Sequence, residues 1–294
     1  MDMLLMFGLP VVVGVFIGVL SGLLGIGGGT IMVPVFRLAF GLSPLMSTAT
    51  SLFTIIPTSI SGAVSHLKGK TCVPALGLAM GIGGALTSPV GVWLASLSPT
   101  WLVMLAAALI IGYSAVNMLL KALKAPAKRK PAATAATVAT ASTEEAAANA
   151  ADATEPPAPA DETPLAPKLS RKQLLIGIAI GLGAGLMSGY VGVGGGFIMV
   201  PLMLTLINIP MKLASGTSLI AILILAIPGT IENGIVGNID YVTGLMVAVG
   251  SIPGAVLGAR LVKKVPERTL RFIFGGFLII AAIVLFLNEF GILG

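Results

Sequence analysis

Apolar and polar positions alternate in long blocks along this chain. Ten apolar segments lie at approximately 4–24, 29–42, 47–66, 73–97 and 101–122, then 173–190, 195–209, 213–232, 241–261 and 269–289. Several are long enough to cross roughly 30 Å of hydrocarbon as helices. The pattern predicts an all-α polytopic membrane protein with five segments in each half. The second segment of each half is short for a full crossing, so a half-helix or a re-entrant arm fits as well as a span. The first run reads as a mature helix, because only Asp2 precedes it and its counterpart recurs mid-chain at 174–189.

The two halves match at a constant offset of 167. Residues 18–34 and 185–201 agree at eleven of seventeen positions. The register continues from Thr50-Ser51-Leu52 to Thr217-Ser218-Leu219 and from Pro99 to Pro266. This is a duplication. Between the copies, residues 125–168 are rich in Ala, Pro and Thr and nearly free of large apolar side chains. Such a stretch buries too little surface to offset ordering, so a disordered tether is expected. The chain therefore divides into an N-terminal membrane repeat (1–124), a linker (125–168) and a C-terminal repeat (169–294).

Lysine and arginine set the orientation. Both ends of the linker are basic (Lys121, Lys124, Lys128, Arg129, Lys130; Lys168, Arg171, Lys172), which assigns it to the cytoplasm. An odd number of segments per half keeps Lys68, Lys70, Lys212 and the cluster from Arg260 to Arg271 on that same side. Both termini then come out external. Odd repeats run in opposite directions, so an inverted repeat is expected, a recurring plan of secondary transporters.

Composition narrows the chemistry. The chain is 56% hydrophobic and 10% charged, outside the range of soluble domains. A single cysteine, Cys72, and a single histidine, His66, leave no disulfide and no plausible metal site, and no cofactor is expected. The net charge of +6 reads as membrane orientation, with the lipid bilayer rather than nucleic acid as the partner. A dinucleotide reading of Gly25–Gly29 fails because a membrane span precedes it and no acidic residue follows near position 48. Gly69-Lys70-Thr71 ends like a P-loop, but the required earlier glycine is Val64. An enzyme is not expected.

Two kinds of glycine stand out. Gly14, Gly18 and Gly22, Gly181, Gly185 and Gly189, and Gly250, Gly254 and Gly258 recur every four residues and suit close helix packing. The clusters Gly25, Gly27, Gly28, Gly29 and Gly192, Gly194, Gly195, Gly196 suit sharp turns instead. Each is followed by a helix start, whose free amides favour an anion. Two such starts meeting near the midplane would form a cradle for a negative solute, centred on Gly27, Gly28, Gly29 and Thr30 with Gly194, Gly195 and Gly196. Ser47, Ser51, Thr54, Thr58, Ser61 and Ser65 place six hydroxyls on one helix face. They either face an anion's path or bond back to their own carbonyls. Arg37, His66, Glu232 and Asn233 are candidate gating or coupling positions, with a proton or sodium as the coupling ion; interfacial solvation is the plainer account of His66, Glu232 and Asn233 at their segment ends, while Arg37 either adds positive charge near an anion or snorkels to the interface.

The paired "GLLGIGGGTIMVP" and "GYVGVGGGFIMVP", the repeated "TSL" and the tail "GAVLGARLVKKVPERTLRFIFGGFLI" make the chain similar to the sulfite exporter TauE/SafE family, within the 4-toluenesulfonate uptake permease superfamily. The resemblance covers all but residues 125–168. It implies a bacterial plasma-membrane carrier of small sulfur-containing anions: sulfite, sulfonates, sulfoacetate or thiosulfate. It also implies a central site in which the glycine repeats are joined by the Thr-Ser pairs, Thr50 and Ser51 with nearby Thr54, and Thr217 and Ser218. An anion channel and a non-transporting membrane scaffold are the alternatives. Oligomeric state, substrate and direction stay open.

Overall fold

A computed structural model describes residues 3–124 and 170–289, and the segment read as a tether lies outside them. Among the described residues the chain is helical, with no strand. The first half forms α1 (Met3–Leu24), α2 (Gly29–Leu38), α3 (Pro44–Lys68), α4 (Pro74–Leu97) and α5 (Thr100–Lys124). The second forms α6 (Arg171–Val191), α7 (Gly196–Leu202, running on through a π-turn to Ile207), α8 (Met211–Val236), α9 (Tyr241–Leu261) and α10 (Glu267–Glu289). Helices α4, α6, α8 and α9 and the Trp101–Leu120 stretch of α5 are long and apolar enough to cross a bilayer; α2 and α7 are shorter. The protein is integral to a membrane.

Local chemistry sets the helix starts. Ser43 caps α3 by accepting from the Met46 amide at 3.3 Å, with Pro44 at the first helical position. Asp240 caps α9 by accepting from the amides of Val242 and Thr243. Ser170 and Gln173 form a capping box at the start of α6.

Glycine faces set the packing. Gly14, Gly18 and Gly22 lie against the backbone of Val247, Ser251 and Ala255, so α1 runs parallel to α9 with no room for a side chain between them. Gly181, Gly185 and Gly189 meet Met80, Gly84 and Ser88 in the same way, pairing α6 with α4. The remaining large contacts join α4 to α8, α3 to α9, α5 to α10 and α3 to α8. Those last two pairs are antiparallel. Along α3 and α8, His66 lies by Gly216, Gly62 by Leu219 and Leu52 by Gly229. Along α5 and α10, Leu119 lies by Gly275 and Gly112 by Ala282. Exchanging the halves maps the α1–α9 pair onto the α6–α4 pair and the α3–α8 and α5–α10 pairs each onto itself.

Cys72 sits in the α3–α4 loop, 7% exposed, against the position a side chain on Gly216 would take. Burial pushes its thiol up to about 11. The thiolate is the reactive form, so the folded protein should resist maleimide at about pH 8 and label fully once unfolded. Labelling of the folded chain at a free thiol's rate would contradict this burial.

Candidate functional site

Helix α1 stops where glycine begins. Gly25, Gly27 and Gly28 have φ of 73°, 73° and 85°, a left-handed conformation that residues with a Cβ adopt only at a cost. Gly192, Gly194 and Gly195 repeat it at 74°, 82° and 67°. The two bends touch. A Cβ on Gly29 would lie 2.5 Å from the Val193 carbonyl oxygen, and one on Gly196 would lie 2.7 Å from that of Gly25.

Ile55 and Ile222, both 0% exposed, wedge the contact: a Cβ on Gly29 or Gly194 would press on Ile55, and one on Gly27 or Gly196 on Ile222. Each isoleucine lies eleven residues into its helix, α3 or α8. The bends therefore meet halfway along the central antiparallel pair.

Few backbone amides at this junction have an acceptor. The Gly25 amide donates to Ser21 O, and those of Ile31 and Met32 donate to Gly28 O. In the second bend, Gly192 donates to Ser188 O, Gly196 to Gly194 O, and Ile198 and Met199 to Gly195 O. The amides of Ile26, Gly27, Gly28, Gly29 and Thr30, and of Val193, Gly194, Gly195 and Phe197, have no acceptor among the described residues. A helix start always leaves such donors, and burial makes them costly unless something accepts from them.

The predicted hydroxyls separate into two sets. Thr50 and Thr217 are structural pins: Thr50 Oγ1 accepts from the Asp240 amide at 3.0 Å and Thr217 Oγ1 from the Val73 amide at 2.9 Å. Each holds the opposite half's loop, which accounts for the threonine of both "TSL" copies. Thr54 donates to Thr50 O at 2.8 Å and approaches Gly244 O at 3.2 Å. Ser218 donates to Gly25 O at 2.6 Å, fixing the first bend to α8. Along the rest of the α3 stripe, Thr58 donates to Thr54 O and Ser61 to Thr58 O.

Thr30 and Ser51 differ. Both are 0% exposed, and neither hydroxyl has a partner among the described residues. Thr30 is the second residue of α2, next to the bend. Ser51 precedes Ile55 by four residues, so it shares the face of α3 that wedges the bends. It is the counterpart of Ser218, yet it makes no matching bond.

Two further hydroxyls belong with them, Ser21 and Ser188, again 0% exposed and without a partner. Ser188 Cβ lies 3.5 Å from where a Cβ on Gly195 would be. Ser21 shares a face of α1 with Ile17, which touches Gly28 in the same manner. These two escape the sequence reading although both repeats carry them at the same offset, as the serine before each glycine cluster.

The candidate gating residues are dispersed. His66 is nearest. Its Nε2–H donates to Gly22 O at 2.8 Å, and Nδ1 lies 2.7 Å from Thr71 Oγ1. Gly22 O is the carbonyl that the Ile26 amide would reach if α1 continued, so the imidazole caps the broken helix. Arg37 lies in the last turn of α2, about 12 Å along the helix from Gly29. Glu232 and Asn233 lie near the end of α8, about 21 Å along it from Ser218. Asn233 donates to Gly229 O, and Glu232 Oε2 has no partner among the described residues.

Comparison with known proteins fits this architecture. The profile of the family described as "Sulfite exporter TauE/SafE" matches residues 10–285. Three similar proteins come from Bacillus subtilis (strain 168). "Probable membrane transporter protein YunE" is 28% identical over 90% of this chain and 91% of its own. "Probable membrane transporter protein YjnA" is 22% identical over 94% and 98%, and "Probable membrane transporter protein YdhB" 27% identical over 90% and 93%. No solved structure matches the chain. Glycine-led helix breaks in both halves and a family match spanning both identify the chain as a member of the sulfite exporter TauE/SafE family of membrane transporters.

Proposed function

We propose that the protein is a secondary transporter for a small sulfur-containing anion of the sulfite, sulfonate, sulfoacetate or thiosulfate class. The anion rests where the two glycine bends meet. The observation that carries this reading is the concentration of buried donors without acceptors at one junction: the bend amides, with the hydroxyls of Thr30, Ser51, Ser21 and Ser188 beside them. An oxyanion supplies several acceptor oxygens at once and needs no basic side chain when amides and helix starts surround it. A lone hydroxyl pair would suit water equally well; nine amides from two chain segments favour a polyvalent acceptor.

The halves form an inverted repeat, with the linker and basic loops cytoplasmic and both termini external. Antiparallel packing of the equivalent helices α3 and α8, and of α5 and α10, supports this. The bends then lie near mid-membrane, since they meet halfway along α3 and α8. Transport proceeds by one half rocking against the other around that point. Purified protein in liposomes should take up labelled sulfite or a sulfonate saturably, and internal unlabelled anion should accelerate entry by counterflow. Non-saturating conductance without counterflow would make it a channel, and no flux of any anion in this class would overturn the proposal.

A further inference from the structure

The two ends of the molecule are built from equivalent residues but differ. At one end the first turns of α3 and α5 and the last turns of α4 and α6 enclose a cavity of about 140 Å³, lined among others by Pro44, Leu45, Thr48, Ser96, Ser98 and Tyr190. This is ample for an anion of a few heavy atoms with water. Leu45 and Ser96 are exposed at its mouth. Its floor adjoins the second bend: Thr48 packs against Gly192, and Tyr190 immediately precedes that bend. Tyr190 donates to Ser98 Oγ at 3.0 Å, tying the end of α6 to the end of α4.

At the offset of 167 four of the equivalent positions are more deeply buried. Met211, Ser215, Val262 and Leu270, the counterparts of Pro44, Thr48, Ala95 and Val103, are all 0% exposed. Polar bonds hold that end together. The Met211 amide donates to Glu267 Oε1 at 3.2 Å, joining α8 to α10, and Lys212 Nζ donates to Lys263 O at 3.0 Å. Glu267 is itself held by Arg271 at 2.6 Å. The open end cannot copy the first bond. Pro44 has no amide hydrogen where Met211 donates, and Thr100 has no carboxylate where Glu267 accepts.

We propose that the cavity at the α3 N-terminus is the vestibule through which the anion enters, with Tyr190 as its inner gate, and that Glu267 latches the opposite entrance shut. This rests on the transporter reading above and adds the state, the entrance and the latch. The vestibule offers hydroxyl donors and no charged side chain, which suits passage of an anion rather than its retention.

The test uses a Cys72→Ser background reconstituted in liposomes of known orientation, with a small, membrane-impermeant anionic methanethiosulfonate as probe. Ala95→Cys in the vestibule and its counterpart Val262→Cys are compared, with Val103→Cys and Leu270→Cys as a second pair should either fail to fold. Ala95→Cys is expected to react at least tenfold faster than Val262→Cys, and only from the face carrying the α3 N-terminus. Adding Glu267→Gln is expected to raise the Val262→Cys rate roughly threefold to tenfold from the other face, the range expected when a charge-assisted bond is weakened to a neutral one. Equal rates within both pairs, labelling of Ala95→Cys from the opposite face, or Glu267→Gln without effect would overturn the proposal. Sulfite flux in the same vesicles separates the two claims. The expected labelling pattern without flux supports the vestibule and latch, and counts against the substrate assignment alone.

Discussion

Replacing Gly29 or Gly196 with alanine is expected to separate the two bends and abolish transport. Both residues begin helices and lie outside the left-handed region, so the cost is steric alone. The new methyl on Gly29 would sit 2.5 Å from Val193 O and 2.6 Å from its carbonyl carbon, and the one on Gly196 would sit 2.8 Å from Ile26 Cα. These neighbours are backbone of the opposite bend, wedged by Ile55 and Ile222, and cannot rotate aside as a side chain would. Overpacking at such a site costs about 1–3 kcal/mol, and more where backbone cannot yield. Thermal unfolding in detergent should register this as a marked loss for either variant. Gly183→Ala, with nothing within 4 Å of its new methyl, is the control and should be neutral or slightly stabilising. Equal stability for Gly29→Ala and Gly183→Ala would mean that the bends are not in contact.

The second expected result has opposite signs for stability and function. Ser51→Ala and Thr30→Val delete buried hydroxyls that have no partner among the described residues. Removing an unsatisfied polar group leaves stability unchanged or raises it by up to about 1 kcal/mol. If the hydroxyl bonds an anion, each deletion removes a charge-assisted hydrogen bond of about 1.5–3 kcal/mol, and apparent affinity falls roughly ten- to hundredfold. Thr217→Val reverses the pattern. It strips the acceptor from the buried Val73 amide and should cost about 1–3 kcal/mol of stability while leaving the anion's own contacts in place. Urea or heat denaturation together with flux separates the two classes.

Much of this was legible in the sequence because membrane folding leaves strong marks. The ten segments, their offset and the glycine breaks follow from the need to satisfy backbone groups in lipid and from close packing of small residues. Among the described residues, all ten helices begin within three residues of the segments read from the pattern. The hydroxyl chemistry was less accessible. Thr50 and Ser51 are adjacent and alike in a sequence, yet one pins a loop and the other has no bond; that difference depends on which face of α3 each occupies and on what α8 and α9 bring against it. Ser21 and Ser188 were hidden for the same reason, since lacking a partner is a property of burial. His66 stood out as a candidate because it lies at a segment end, and its place opposite Gly22 O, the carbonyl left open by the break in α1, is visible only in the fold. The unequal ends depend on Pro44 standing where Met211 does in the other copy. That substitution is visible in the alignment of the repeats, and its meaning appears only once Glu267 is seen across from Met211.

Transport of this kind depends on an anion held at the junction of the bends. Equilibrium binding of radiolabelled sulfite and thiosulfate to the purified wild-type protein and to Ser51→Ala, with folding checked by thermal unfolding, tests it directly. One saturable site per chain is expected for at least one of these anions, with a tenfold or greater loss of affinity in a variant that melts no earlier than the wild type. Undiminished binding by a well-folded Ser51→Ala and Thr30→Val would place the anion elsewhere and contradict it.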